Sequence, residues 1–64
     1  MLVFIERTDE THEREFTGTA QALLEELAIN PVTVIVAADQ ALIPLDTDIS
    51  SAERIDILTI VSGG

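Results

Sequence analysis

The chain has 64 residues, with twelve Asp and Glu against three basic residues, all arginine, and a formal net charge of −9. That length sets one small domain, which buries only about 60% of the surface its unfolded chain exposes. The lack of cysteine excludes disulfides, thiolate metal sites and a nucleophilic thiol, and the scarcity of basic residues argues against direct nucleic-acid binding.

An apolar content of 47% is that of a globular chain rather than a disordered one. No apolar run approaches the about 18 residues of a membrane span, and no basic stretch precedes the first apolar residues. A cytoplasmic protein without a membrane partner is therefore expected. The acidity suits a partner with a basic docking face, where charge raises the association rate. It suits equally well solubility in a salt-rich cytoplasm.

From the N-terminus, Leu2 to Arg7 reads as a strand, with Val3 and Ile5 on one face and Leu2 and Phe4 on the other. Thr8-Asp9-Glu10-Thr11 is a turn by composition. His12 to Thr17 is expected to return as a second strand, His12, Arg14 and Phe16 sharing a face. Gly18 interrupts the chain and Thr19 is a good helix N-cap, its hydroxyl placed to accept an unpaired backbone N–H. Ala20, Leu23, Leu24 and Leu27 recur at helical spacing and make one apolar stripe, while Glu25 and Glu26 face water. Asn30-Pro31 is expected to end the helix.

Val32 to Val36 is dense in β-branched residues and reads as a strand. Ala38-Asp39-Gln40 is a turn, and Leu42-Ile43 a short strand that Pro44 cuts off. Leu45 to Glu53 is a polar excursion anchored by Ile49. The last strand is expected over Arg54 to Val61. The order β-β-α-β-β-β, with one helix covering one face of a mixed sheet, predicts an α+β fold of the β-grasp type. The expected domain covers residues 1–61, followed by a flexible Ser-Gly-Gly tail at 62–64.

The tail is the most informative feature. Ser62, Gly63 and Gly64 follow directly on a strand, so no bulky side chain hinders approach to a terminal carboxylate. Glycine, lacking a Cβ, enters narrow channels in conformations closed to other residues. Read alone, the same residues describe a frayed end.

Together with the rest of the chain they resemble the ubiquitin-like sulfur carriers and modifiers. Met1-Leu2-Val3-Phe4-Ile5 resembles the opening strand of ubiquitin. Thr33-Val34-Ile35-Val36, then Ala38-Asp39-Gln40-Ala41-Leu42-Ile43-Pro44, then Glu53-Arg54-Ile55-Asp56-Ile57-Leu58 and the glycine pair are similar to the ThiS and MoaD carriers and to the small archaeal modifier proteins. The resemblance covers essentially the whole chain. One departure is Asp39-Gln40, where members often carry Asn-Gly or Asp-Gly; Gln is less at ease than Gly at positive φ.

The resemblance implies that this chain is a substrate and carrier rather than an enzyme, binding no cofactor of its own. A ubiquitin-activating-type adenylating enzyme would use ATP and Mg to convert Gly64 to an acyl-adenylate, and sulfur would then give a thiocarboxylate. Sulfur acceptors in tRNA thiolation or in molybdopterin or thiamine biosynthesis follow from the same likeness. Two alternatives stand beside it: a modifier joined by isopeptide bonds to target-protein lysines, and a non-covalent ubiquitin-like binding module.

Alternation along the last strand sends Leu58 and Ile60 to the face opposite Ile55, Ile57 and Val61, and the same parity places Leu2, Phe4 and Ile35 with them. Phe4, Ile35, Leu58 and Ile60 are therefore a candidate docking patch. The remaining polar residues carry no chemistry. Ser50, Ser51 and Ser62 have no His-and-acid arrangement. His12, the single histidine, reads as a surface residue of the hairpin rather than a base or ligand. Asp46 and Asp48 lack the ligand spacing and closing Glu of a calcium loop.

Overall fold

The computed structural model describes residues 1–60; Val61 to Gly64, including the expected last residue of the final strand and the tail, lie outside the described residues. Five strands and one helix follow in the order β1 (Leu2–Ile5), β2 (Glu10–Glu13), α1 (Ala20–Glu26), a 3-10 turn (Pro31–Thr33), β3 (Val34–Ala38), β4 (Ala41–Ile43) and β5 (Arg54–Thr59). The strands form one sheet in the order β2-β1-β5-β3-β4. β1 runs parallel to β5, and the other neighbours are antiparallel. One helix on one face of such a mixed sheet is the β-grasp arrangement.

The core lies between them. Ala20, Leu23 and Leu24 of α1 meet Val3, Val34, Val36, Ile55 and Ile57 of the sheet, all buried. Ile49 completes this cluster from the long loop at 1% exposure, anchoring the polar excursion as its sequence predicts, and Leu45 and Ala52 of the same loop pack against the cluster. Burying one such aliphatic side chain is worth about 1.5–3 kcal/mol.

The same loop satisfies the start of α1. The N–H groups of Ala20 and Gln21 donate to the carbonyls of Thr47 and Leu45 at 3.0 and 2.9 Å, and Ile49 N–H donates to Gly18 at 2.8 Å. Thr19 caps the helix as expected, its hydroxyl accepting from Ala22 N–H. These bonds take up helix-end donors that would otherwise lack partners. Gly18 occupies φ 134°, where an added Cβ would also meet the Phe16 ring at 3.3 Å.

Several boundaries differ from the sequence reading. The first strand ends at Ile5 and the turn occupies residues 6–9, so β2 covers Glu10–Glu13 rather than His12 to Thr17. The helix ends at Glu26, not at Asn30: Ala28 turns to φ 59°, and its N–H and that of Ile29 donate to Glu25 and Leu24. This is the paired closing bond pattern usually built on glycine. Asn30 instead caps the 3-10 turn, its side chain accepting from Val32 N–H at 3.0 Å. β3 consequently begins at Val34, and Val32 is 76% exposed.

The β3–β4 hairpin closes through Asp39 and Gln40 at φ 49° and 72°, the two positive φ values of a type I′ turn. Asp39 also ties this turn to the start of β5. Its carboxylate accepts from the N–H groups of Glu53 and Arg54 at 3.1 and 3.0 Å, while its own N–H donates to Arg54 at 2.9 Å.

Ala28 and Gln40 thus hold left-handed conformations that cost a non-glycine residue roughly 1–2 kcal/mol. Glycine removes that cost but returns about 0.4–1 kcal/mol of unfolded-chain entropy. Ala28→Gly and Gln40→Gly are each expected to raise stability by about 0.5 kcal/mol, and to add in the double variant. Urea unfolding midpoints at constant slope measure this; a lowered midpoint for either variant would contradict the strain argument.

Candidate functional site

Two features meet at one end of β5: the point where the chain leaves the sheet, and the sheet face turned away from the helix. β5 is the central strand, paired on both sides through Ile55–Thr59 with β3 and through Arg54–Ile57 with β1. The last described bond beyond it runs from Ile60 N–H to the Thr33 carbonyl at 3.1 Å. Gly64, Gly63 and Ser62, the residues that the sequence singles out, follow this point and lie outside the described residues. A cleft lined in part by Ile5, Leu27, Ile29, Val34 and Ile57 opens at the same end, with Arg7 and Thr59 among its polar residues.

On the outer face, Ile35 stands opposite Leu58 and Phe4 opposite Asp56. Phe4, Ile35, Leu58 and Ile60 are absent from the apolar side chains packed on the core, so Leu58 and Ile57 serve opposite faces. Exposure within the patch is uneven. Ile60 is 57% exposed, whereas Phe4, Ile35 and Leu58 are half-buried. Cross-strand pairing of Ile35 with Leu58 shields both. The Arg54 guanidinium lies 5.9 Å from the Phe4 ring centroid and bonds Asp56 at 2.9 Å, a cation over an aromatic face.

Sequence reasoning missed three contributors. Leu42 faces Ala37 in register and is 64% exposed; the parity that selected Ile35 also reaches it. The Arg54–Asp56 pair was legible as i, i+2 on a strand. Glu6, whose carboxylate accepts from Thr59 N–H at 2.9 Å, had no local signal, because its partner is 53 residues away.

The other polar residues serve structure. His12 sits on exposed β2, 3.9 Å from Glu10. Ser50 Oγ accepts from Gly18 N–H at 2.9 Å, fastening the loop beneath α1. Asp48 receives hydrogen bonds from the Ser50 backbone and side chain, which hold its carboxyl below the ordinary 3.8. Among the described residues no three His, Cys, Asp or Glu side chains converge as metal ligands. No helix among them is long and apolar enough to cross a membrane.

Comparison with known proteins agrees with this architecture. The chain is 32% identical over 60 residues to the sulfur carrier protein TtuB of Thermus thermophilus, covering 91% of this chain and 92% of that one. It is 38% identical over 42 residues to an uncharacterised protein of Archaeoglobus fulgidus, covering 66% and 61% respectively. The ThiS family profile matches residues 4–64, which takes in the second half of β1, all of β2 through β5 and the glycine pair. With a one-helix, five-strand mixed sheet beneath that match, the chain belongs to the ThiS family.

Proposed function

We propose that this protein is a sulfur carrier, activated at Gly64 by an adenylating enzyme of the ubiquitin-activating type. The observation that carries the reading is the ThiS-family match, which runs through β5 to Gly64. The similarity to a sulfur carrier over nine-tenths of both chains supports it. A free carboxylate is a poor acyl donor, so the first step is attack of a Gly64 oxygen on the α-phosphorus of ATP. Pyrophosphate leaves and an acyl-adenylate remains. A hydrosulfide equivalent then adds to the Gly64 carbonyl carbon, AMP departs, the hydrosulfide proton is released, and a thiocarboxylate is formed. Transfer of that sulfur to tRNA or to a cofactor precursor completes the role.

In this scheme the domain supplies recognition and access, while ATP, Mg and the catalytic groups belong to the partner enzyme. Gly63 and Gly64 present the carboxylate without a Cβ to obstruct it. Phe4, Ile35, Leu58, Ile60 and the neighbouring Leu42 offer the partner an apolar face beside the strand that leads to the tail. Conjugation of activated Gly64 to a target lysine is the second reading; the same adenylate serves it, with an amine replacing sulfur as nucleophile.

Deleting Gly64 is expected to abolish ATP–pyrophosphate exchange with the adenylating enzyme and to leave the unfolding midpoint unchanged. Exchange at the wild-type rate in the truncated chain would sink the carrier reading. Ile60→Asp is expected to weaken docking by about 2 kcal/mol, the usual scale of a central interface contact, with little loss of stability because Ile60 is mostly exposed. Leu58→Asp is expected to act likewise on docking at a greater cost to the fold. Titration calorimetry alongside thermal unfolding separates the two effects.

The chain contains no lysine, so it offers no ε-amine to a second activated copy, and arginine stays protonated and unreactive. Any conjugates are therefore expected to be single attachments to other proteins. Tandem mass spectrometry tests this: linkage through the Met1 amine leaves the argument intact, whereas a branch at an internal residue would refute it.

A further inference from the structure

We infer that Glu6 is a positioning residue for activation of Gly64: its side chain holds Thr59 at the end of β5, the strand from which the chain runs on to Gly64. The inference rests on the sulfur-carrier reading and deepens it. It starts from how the parallel β1–β5 ladder ends. Leu2 N–H donates to Glu53 at the beginning of the pairing, and Glu6 N–H donates to Ile57 at its end, at 2.9 and 3.0 Å. In a parallel ladder the next bond runs from Thr59 N–H to the backbone carbonyl of Glu6. That carbonyl is already engaged, because β1 turns away and Asp9 N–H donates to it at 3.1 Å.

The Glu6 side chain takes the vacant place, its Oε1 accepting from Thr59 N–H at 2.9 Å. A side-chain carboxylate thus adds one rung to the ladder after the backbone of β1 has left it. The bond is charge-assisted. Ile60 is fixed from the other side by the Thr33 carbonyl at 3.1 Å. Thr33 itself is pinned by the 3-10 turn, its N–H and hydroxyl both donating to the Asn30 carbonyl at 3.1 and 2.8 Å. Two successive residues before Val61 are therefore clamped by opposite neighbours.

The consequence for activation is one of reach and entropy. Four residues span at most about 13–14 Å, so the carboxylate reaches an active site only if its base is correctly placed against the docked domain. A base that frays by two residues has more conformations to lose on binding. That loss falls equally on the Michaelis complex and the transition state, and so appears in KM rather than kcat.

The experiment is ATP–pyrophosphate exchange with the adenylating enzyme of the source organism, varying the concentration of full-length carrier. Glu6→Ala is expected to raise KM about fivefold to tenfold, the factor for one lost hydrogen bond, with kcat unchanged. Glu6→Gln keeps an acceptor oxygen without the charge and is expected to restore most of the wild-type KM. Glu25→Ala removes an equal charge from the exposed side of α1 and is expected to leave KM alone. Hydrogen exchange at the Thr59 amide is expected to quicken in Glu6→Ala and to recover in Glu6→Gln, with circular dichroism unchanged in both.

Wild-type KM in Glu6→Ala, or unaltered Thr59 exchange, would overturn the inference while leaving the sulfur-carrier reading standing. Equal KM losses in Glu6→Gln and Glu6→Ala would overturn it in favour of direct charge contact with the enzyme. Absence of exchange activity with the wild-type chain would remove the carrier reading and this inference together.

Discussion

The whole molecule depends on β5 being hydrogen-bonded on both edges. A strand with neighbours on both sides has no free edge along its paired length, and its alternate side chains are committed to two different surroundings. Here Ile55 and Ile57 close the core against α1, while Leu58 stands on the outer face opposite Ile35. The register of this one strand therefore sets the core and the candidate docking face together. A slip of one residue would exchange them. Residues 61–64, on which the proposed activation rests, follow this strand in sequence.

The rest of the chain secures β5 with polar contacts concentrated at its two ends. At its start, Asp39 reaches from the β3–β4 turn to accept from Glu53 and Arg54. At its finish, Glu6 and Thr33 accept from Thr59 and Ile60. The interior of the strand needs no such help, because the ladders to β1 and β3 satisfy its backbone. Burial of a nine-residue apolar cluster supplies the cohesion; side-chain caps decide where the ladders begin and stop. In so small a domain the hydrophobic gain is modest, and a few well-placed acceptors weigh correspondingly more.

The features legible in the sequence were those carried by periodicity. The helix stripe at Ala20, Leu23 and Leu24, the buried Ile49, the Thr19 cap and the two-faced final strand all follow from apolar spacing or a capping side chain. The reading of the glycine pair comes from the family resemblance and falls outside the described residues. Boundaries escaped where local residues permit two structures. Val32 is as good a strand former as Val34, yet Asn30 caps a 3-10 turn and displaces the strand by two residues. Ala28 carries no sign of a left-handed helix end, a place usually marked by glycine. The hairpin turn moved because Glu6 and Asp9 bond each other across it, leaving Glu10 free to start β2. Glu6 itself could not be found locally, since its partner is close only after the parallel crossover has formed.

The two outer strands show how the remaining surface is apportioned. Unpaired strand edges invite association with other chains unless charge, brevity or proline blocks it. β2 meets this with Glu10 and Glu13 flanking Thr11 and His12, all exposed. β4 meets it by being three residues long and stopping at Pro44. With α1 covering the inner face and both edges guarded, the outer face between them is a surface open to apolar contact. Its half-buried pairs lower the cost of exposing it to water, while Ile60 and Leu42 remain available at its margins. Acidic residues elsewhere give the chain a net charge of −9, and like charges on two copies repel at close approach. A basic partner is exempt from that repulsion. The charge of the chain and the shape of its sheet therefore favour the same kind of contact, with a partner unlike itself and on the outer face beside β5.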